Sequence, residues 1–191
     1  MLNISAKINK ADIDNLLKNF SGALVRKAVR SALDRTGTWG KNYIANDVSS
    51  NYNLTNARVK KAIKVKRTTQ TKMETSLNIS GSGLSILDDF NATQDSIGIR
   101  ANISKQKEFR VPHAFINRAR SSGKKVIMMR VSPKRYPTTG KPGRGPSIPT
   151  LVNRLGNREK RDSDLTNHLY QELETQIAKR SMQQTSIPEA E

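Results

Sequence analysis

Apolar residues in the first fifty positions recur at intervals of three and four, which is the spacing of one face of an α-helix. A short helix is expected around Ile13, Leu16 and Phe20, and Ser21 can cap a second, much longer helix. The apolar positions of the long helix are Leu24, Ala28, Ala32, Leu33, Trp39, Tyr43, Ile44 and Val48. This amphipathic helix is the largest element that the pattern predicts.

Two glycines, Gly37 and Gly40, lie in the middle of the long helix. Each is expected to weaken the helix by about 1 kcal/mol relative to alanine, so they mark either a kink or a close approach of another backbone. A break follows at residues 49–53. Thr55 can then cap a third, short helix over residues 56–63.

Beyond Lys64 the period of the pattern changes to two, which is typical of β-strands. Strands are expected at residues 73–79, 97–103, 109–116 and 125–131. Pro112 suits an edge strand or a bulge, and residues 121–123 predict a hairpin turn between the last two strands. Residues 2–8 also alternate, which fits either a short strand or an extended arm.

A long loop rich in Pro, Gly, Lys and Arg follows at residues 132–147. Loops of this length are uncommon inside compact domains and are usually functional or disordered. A closing helix is expected to begin at Asp162 or Ser163, with a narrow apolar stripe that needs a partner surface. The stripe consists of Leu165, Leu169, Leu173 and Ile177.

Together these elements predict an α+β fold. We expect a long N-terminal helix packed on an antiparallel sheet of about four to five strands, with a long basic Pro/Gly loop and a C-terminal helix. The expected organisation is an N-terminal arm at residues 1–10, a single domain over residues 11–180 that includes the loop at 132–147, and a flexible tail at residues 181–191.

The charge of the chain narrows the class of partner. The formal net charge is +18, from 34 Lys and Arg against 16 Asp and Glu, which favours a polyanion or an acidic protein surface as a neighbour over a merely solvated basic surface. Hydrophobic residues make up 35% of the 191 residues, which is thin for one core, so burial against another subunit is expected. No cysteine is present, and no apolar run reaches the length of a signal peptide or a membrane span.

The basic residues are clustered. Residues 109–158 contain twelve Lys and Arg and no Asp or Glu. The pattern offers no recognition helix and few stacking aromatics, so it supports non-specific contact with phosphates at most. The residues that we expect to face DNA under this hypothesis are Lys60, Lys61, Lys64, Arg118, Arg120, Lys124 and Lys125.

Catalytic, cofactor and metal sites are not expected. The two histidines, His113 and His168, have no Ser or carboxylate placed by sequence to complete a catalytic relay. Asp88 and Asp89 are adjacent and would point to opposite faces of a strand, which is poor geometry for two metal ligands. Residues 140–145 lack the order of a phosphate-binding Walker loop. We therefore expect a protein that is not an enzyme.

Four motifs in order resemble those of the minor tail protein Z family of lambda-like long-tailed phages. Residues 32–39 are similar to its Ala-Leu-Asn-Arg-Thr-Ala…Trp segment, and residues 54–63 to the short basic helix that follows. Pro-His-Ala-Phe-Ile at residues 112–116 resembles its Pro-Gly-Ala-Phe-Ile, and Gly-Pro-Ser-Ile-Pro at residues 145–149 resembles its Gly-Pro-Ser-Val-Pro. The family usually has glycine where His113 stands, and the lead-in at residues 140–144 also departs from its pattern.

The resemblance implies a structural virion protein rather than a catalyst. It implies a tail-completion, or minor tail, protein at the head-proximal end of the tail, the neck, which is assembled in the host cytoplasm and helps to join tail to head and pass DNA. It further implies a homo-oligomeric ring, expected to be six-fold. The implied partners are tail terminator, tail tube or head–tail connector proteins, with phage DNA as a further, non-specific partner and no membrane.

Within such a ring, the acid-free loop and the residues that close it are expected to meet a neighbouring subunit. The expected contact residues are Lys134, Arg135, Tyr136, Lys141, Arg144, Pro146, Ile148 and Pro149. Two alternatives stay open at this point. The first alternative to a tail protein is a stand-alone basic nucleic-acid-binding protein. The second is a scaffold or chaperone that leaves the particle before maturation.

Overall fold

The computed structural model describes residues 1–69, 73–119, 122–130, 138–139, 144–156 and 158–185. The helices are α1 (Lys10–Asn19), α2 (Gly22–Asn51), α3 (Asn56–Ala62), α4 (Ile86–Asp89), α5 (Ile148–Arg154) and α6 (Arg158–Thr185). The strands are β1 (Leu2–Lys7), β2 (Ile63–Lys66), β3 (Glu74–Ile79), β4 (Gly83–Ser85), β5 (Thr93–Gln94), β6 (Gly98–Ala101), β7 (Phe109–Pro112), β8 (Ala114–Arg118), β9 (Lys125–Arg130), β10 (Thr138–Thr139) and β11 (Arg144–Ser147).

The protein is α+β, with a long N-terminal helix, several antiparallel strands and a C-terminal helix, as predicted. Its contacts divide the chain into two compact units. Unit 1 comprises Met1–Ile44, Ile63–Ile79 and Gly156–Glu191, and unit 2 comprises Ala45–Ala62 and Ser80–Leu155. This division by contacts does not test whether residues 11–180 fold as one domain, so that expectation stays a prediction. Among the described residues, no helix combines the length and the apolarity that crossing a bilayer requires.

Unit 1 contains a three-stranded antiparallel sheet in the order β1-β3-β2. The central strand β3 is buried along nearly its whole length. Both of its neighbours begin opposite Ile79, β1 with Leu2 and β2 with Ile63. Residues 2–7 therefore form a strand of this sheet, which decides between the two readings that their alternation allowed. The expected N-terminal arm at residues 1–10 thus contains a paired strand.

The helices α2 and α6 share the core of unit 1. Ser21 caps α2 through its hydroxyl, which accepts a hydrogen bond from the N–H of Leu24 at 3.4 Å. The apolar stripe predicted on the closing helix is buried, and part of it packs with the N-terminal half of α2 in one cluster. The buried members of that cluster are Ala6, Val25, Ala28, Val29, Ala32, Leu33, Leu169, Leu173 and Ile177.

The two glycines of α2 mark a close approach. A methyl group at Gly37 would lie 2.6 Å from the hydroxyl oxygen of Thr75 and 2.8 Å from a methyl of Val65. One at Gly40 would lie 2.6 Å from the tip of Leu165. The neighbouring atoms belong to side chains rather than to a backbone, so α2 lies directly on the sheet and α6 at these two positions.

Unit 2 is built from small antiparallel sheets rather than from one sheet. The orders are β5-β6-β7, β8-β9-β10 and β4-β11, so the prediction of a single sheet of about four to five strands is wrong in arrangement. The segment at 109–116 was expected to form one strand, but the chain turns at His113, whose φ is 60°. Because of that turn, β7 pairs with β6 while β8 pairs with β9. The predicted hairpin between β8 and β9 is confirmed.

Two further boundaries differ from the prediction. Residues 148–154 form α5, which the sequence did not indicate because two prolines suggested a loop. The last helix begins at Arg158 rather than at Asp162 or Ser163, since the buried guanidinium of Arg161 donates to the carbonyl of Gly156 and holds the first turn in place. At its other end, α6 runs to Thr185, so the first five residues of the expected tail are helical.

Candidate functional site

Residues 32–39, the first of the four motifs, lie on α2, and their side chains connect α2 to its neighbours in unit 1. The carboxylate of Asp34 accepts hydrogen bonds from the backbone N–H and the hydroxyl of Thr68, at 3.2 and 3.1 Å. The ring of Trp39 stacks on that of His168, with the centroids 4.3 Å apart. In this structure the motif therefore organises packing between elements.

His168 is half-buried between α6 and α2. Its Nδ1 lies 3.4 Å from the hydroxyl oxygen of Thr36. Burial lowers the pKa of His168 below its ordinary value, although the nearby carboxylate of Glu172 acts in the opposite direction. The ring of Trp39 also stacks on that of Tyr43, with the centroids 4.9 Å apart, as the i, i+4 spacing on a helix allows. This group of rings serves packing.

Residues 112–116, the third motif, form the junction between β7 and β8. His113 occupies the left-handed region with φ 60°, where a residue without a side chain is favoured. The preceding residue, Pro112, lies opposite Gly98 on β6. A methyl at Gly98 would come within 2.2 Å of the carbonyl oxygen of Val111, so the backbones are in direct contact here. The motif thus produces a tight change of direction between two sheets.

Residues 145–149, the fourth motif, form the junction between β11 and α5. A methyl at Gly145 would lie 3.2 Å from the ring of Phe90. The hydroxyl of Ser147 caps α5 by accepting from the N–H of Thr150 at 3.4 Å. Pro149 lies in the first turn of α5, where its missing N–H leaves no hydrogen bond unmade. The motif is a strand-to-helix connection in unit 2.

The expected contact residues are placed differently from one another. Lys134, Arg135, Tyr136 and Lys141 lie outside the described residues. Ile148 and Pro149 are buried within unit 2, so they present no surface in this conformation. Arg144 is exposed, and Pro146 is half-buried.

Arg144 and Pro146 line an open groove of about 520 Å³ in unit 2. We call it the Phe109 groove, because Phe109 is its most accessible apolar side chain, with 41% exposed. Its apolar lining consists of Tyr52, Ile86, Ile103, Phe109 and Pro146, and its charged lining consists of Lys107, Glu108, Arg144 and Arg154. The groove therefore combines apolar surface with exposed cations.

The segment that follows β6 forms one wall of the groove, and two backbone hydrogen bonds attach it to the end of α2. The N–H of Asn53 donates to the carbonyl of Ile103, and the N–H of Lys105 donates to the carbonyl of Asn51, both at 3.1 Å. These bonds bring Tyr52 beside Ile103. Another part of the lining comes from β11 and α5. The strand β11 is held in place by its pairing with β4.

The charges along the groove are unbalanced. Glu108, its one carboxylate, lies 3.8 Å from the guanidinium of Arg100. Within the described part of the chain, no carboxylate forms an ion pair with Lys107, Arg144 or Arg154. Sequence reasoning missed Lys107 and Arg154 as site residues. No local pattern connects them to Arg144, because the grouping depends on how three separate segments fold.

The residues expected to face DNA lie on several different elements. Lys60 and Lys61 lie on α3 in unit 2, and Lys64 is exposed on β2 in unit 1. Arg118 and Lys125 are cross-strand partners on the β8–β9 hairpin, with Lys124 exposed beside them. Arg120 lies outside the described residues. Among the described residues of this set, the hairpin brings Arg118 and Lys125 together.

A compact charge cluster lies on β6 and β7. Arg100 and Arg110 are directly opposite each other across the two strands, and the carboxylate of Asp95 lies 3.0 and 3.2 Å from their guanidinium groups. Hydrogen bonds from the N–H groups of Gly98 and Ile97, and then the two arginines, lower the pKa of Asp95. Asp95 therefore offsets the repulsion between two like charges.

No protein-family model, no curated protein and no solved structure matches the chain. Within the described ranges, no group of three or more His, Cys, Asp or Glu side chains is placed to hold a metal ion.

Proposed function

We propose that this chain is a structural virion protein of a bacteriophage tail. It acts as a tail-completion, or minor tail, protein at the neck, where it forms a homo-oligomeric ring that helps to join tail to head and pass DNA. Its partners are further copies of itself and tail terminator, tail tube or head–tail connector proteins. The proposal rests on the four ordered motifs, and the geometry of the third motif supports it most directly.

The third motif departs from the family at one residue, His113, where glycine is usual. That residue has φ 60°, a conformation in which glycine is favoured over any residue with a side chain. The backbone of this chain therefore has the conformation that the family's glycine would serve best.

The Phe109 groove supports a role in assembly. An exposed groove that combines aromatic and aliphatic lining with cations that have no carboxylate partner among the described residues offers a contact surface for another protein. The net charge of +18 and the thin hydrophobic content support burial against acidic neighbours. Both features are expected of a subunit that completes its packing in a particle.

The test is to examine mature particles of the phage that encodes the chain. Mass spectrometry of purified virions should detect the chain, and cryo-electron microscopy of neck and tail should place a ring of it at the head-proximal end. Deletion of residues 134–144 should abolish infectious particles if the loop contacts a neighbour. A chain absent from mature particles, with assembly dependent on it, would instead identify a scaffold or chaperone.

A second candidate is a stand-alone basic protein that binds nucleic acid without sequence specificity. The β8–β9 hairpin favours it, because like charges directly opposite each other, as at Arg118 and Lys125, are destabilising unless an anion lies between them. This candidate predicts a monomer or dimer whose DNA affinity falls steeply with salt. Sedimentation of the purified chain with and without duplex DNA, at two salt concentrations, separates it from ring assembly.

A further inference from the structure

We propose that the Phe109 groove binds the acidic segment at residues 187–191 of a second copy of this chain. The chemistry of the groove and that of the segment carry the proposal. That the contact joins two copies rests on the proposed function, in which the chain assembles with itself.

The charges of the two surfaces are complementary. Lys107, Arg144 and Arg154 line the groove without a described carboxylate partner, and its one acid, Glu108, lies near Arg100. Residues 187–191 read Ile-Pro-Glu-Ala-Glu, with two acids and no base. Opposite charge across an interface favours one partner over others, and the chain as a whole carries a net charge of +18.

The apolar parts also correspond. The groove presents Phe109 and Tyr52 together with aliphatic side chains, and the segment begins with Ile187 and Pro188. Proline restricts its own backbone and that of the preceding residue, so such a segment loses little freedom on binding. Extended Pro-containing peptides commonly dock in aromatic-lined grooves. The isoleucine and proline would contact the aromatic lining, and the two glutamates would meet the cations.

The apolar lining favours a peptide over nucleic acid. Phosphates alone would use the cations and leave Ile86, Ile103 and Pro146 without a counterpart. A peptide with an aliphatic residue next to acidic ones uses both parts of the groove. The contact joins two different patches, so it is heterologous, and repeated copies of such a contact close into a ring when the rotation allows.

The peptide test uses the full chain carrying Glu189→Lys and Glu191→Lys, so that its own segment does not compete. A fluorescent peptide of residues 182–191 should bind this chain, as measured by anisotropy. Adding Arg144→Glu and Arg154→Glu should weaken binding at least about tenfold, since each reversal replaces an attraction by a repulsion. A peptide with both glutamates changed to lysine should then bind the reversed groove.

The matched control is Arg118→Glu with Lys125→Glu, which makes the same change in charge on the β8–β9 hairpin of the same unit. Its peptide affinity should change less than threefold. Equal weakening by the control and the groove variant would show general charge attraction and overturn the proposal, as would the absence of binding. Displacement of the peptide by a single-stranded oligonucleotide with higher affinity would assign the groove to nucleic acid and also overturn it.

The self-association test uses sedimentation velocity of the full chain without peptide. Arg144→Glu with Arg154→Glu, or Glu189→Lys with Glu191→Lys, should each reduce self-association, and the four changes together should restore it. Failure of the combined variant to recover, although circular dichroism shows it folded, would contradict the contact. Peptide binding that fails while the chain is found in virions would overturn this inference alone. Binding that succeeds while the chain is absent from particles would overturn only the proposed function.

Discussion

Replacing His113 by glycine is expected to stabilise the fold, which is unusual for a substitution to glycine. A residue with a side chain in the left-handed region costs about 1–2 kcal/mol relative to glycine, and histidine falls towards the lower end. Against this gain, glycine adds freedom to the unfolded chain, worth about 0.4–1 kcal/mol. The imidazole is exposed, so its removal costs little. The net expectation is a gain of about 0.5 kcal/mol.

The comparison with His113→Ala makes the effect measurable. Both substitutions remove the same imidazole, but alanine keeps a Cβ at φ 60°. After the same unfolded-state offset of about 0.4–1 kcal/mol, the glycine variant should be more stable by about 0.5–1.5 kcal/mol. For a chain of this size that difference corresponds to roughly 1–6 °C in Tm. Differential scanning calorimetry of the two variants under identical conditions provides the measurement.

The matched control is the same pair of substitutions at Asn117, an exposed position on β8 with ordinary strand geometry. There alanine should be more stable than glycine by about 0.5–1 kcal/mol, because glycine weakens a strand. The reasoning is refuted if alanine matches or exceeds glycine at His113 as well. Such a result would remove the conformational support that the third motif lends to the resemblance.

Two further predictions concern unit 1. Gly37→Ala should lower the free energy of unfolding by about 1 kcal/mol, because overpacking against the stiff side chains of Thr75 and Val65 costs about 1–3 kcal/mol and exceeds the gain of about 1 kcal/mol in helix propensity. At Gly40 the added methyl meets the movable tips of leucine side chains, so Gly40→Ala should leave the free energy of unfolding nearly unchanged. Equal losses of unfolding free energy for the two variants in urea would contradict this distinction. His168 has a lowered folded-state pKa, so the unfolded chain binds more protons below about pH 6.5 and stability should fall as the pH drops through that value. Urea unfolding at about pH 7.5 and pH 5.5 should show that His168→Gln loses less unfolding free energy between the two pH values than the unchanged chain does. An equal loss in both proteins would exclude His168 as the cause of the pH dependence.

Helices with a strong period were predictable because their apolar stripes report burial directly. The stripe from Leu165 to Ile177 is buried, and so is the stripe from Leu24 to Val48 apart from the half-buried Trp39 and Tyr43. The sheets were less predictable, because a period of two identifies a strand without naming its partner. His113 illustrates this limit: a single left-handed residue assigns β7 and β8 to different sheets.

The candidate site was predictable only in part. Arg144 and Pro146 belong to the basic loop predicted at residues 132–147, and both line the Phe109 groove. Ile148 belonged to the same run of residues but is buried, because Ser147 starts a helix there. Local composition distinguishes a basic segment from an apolar one, but it does not say which side chains of that segment reach the surface.

The lysines of β2 have a consequence for solubility during assembly. β2 is an edge strand of the sheet in unit 1, and Lys64 and Lys66 are exposed on it. An edge strand presents unpaired backbone groups that invite another strand, and lysine on the edge opposes such pairing because two copies repel each other. Lys64 was expected to face DNA, but its position on the edge strand also opposes aggregation. The positive charge of β2 would then keep copies of this edge apart from one another.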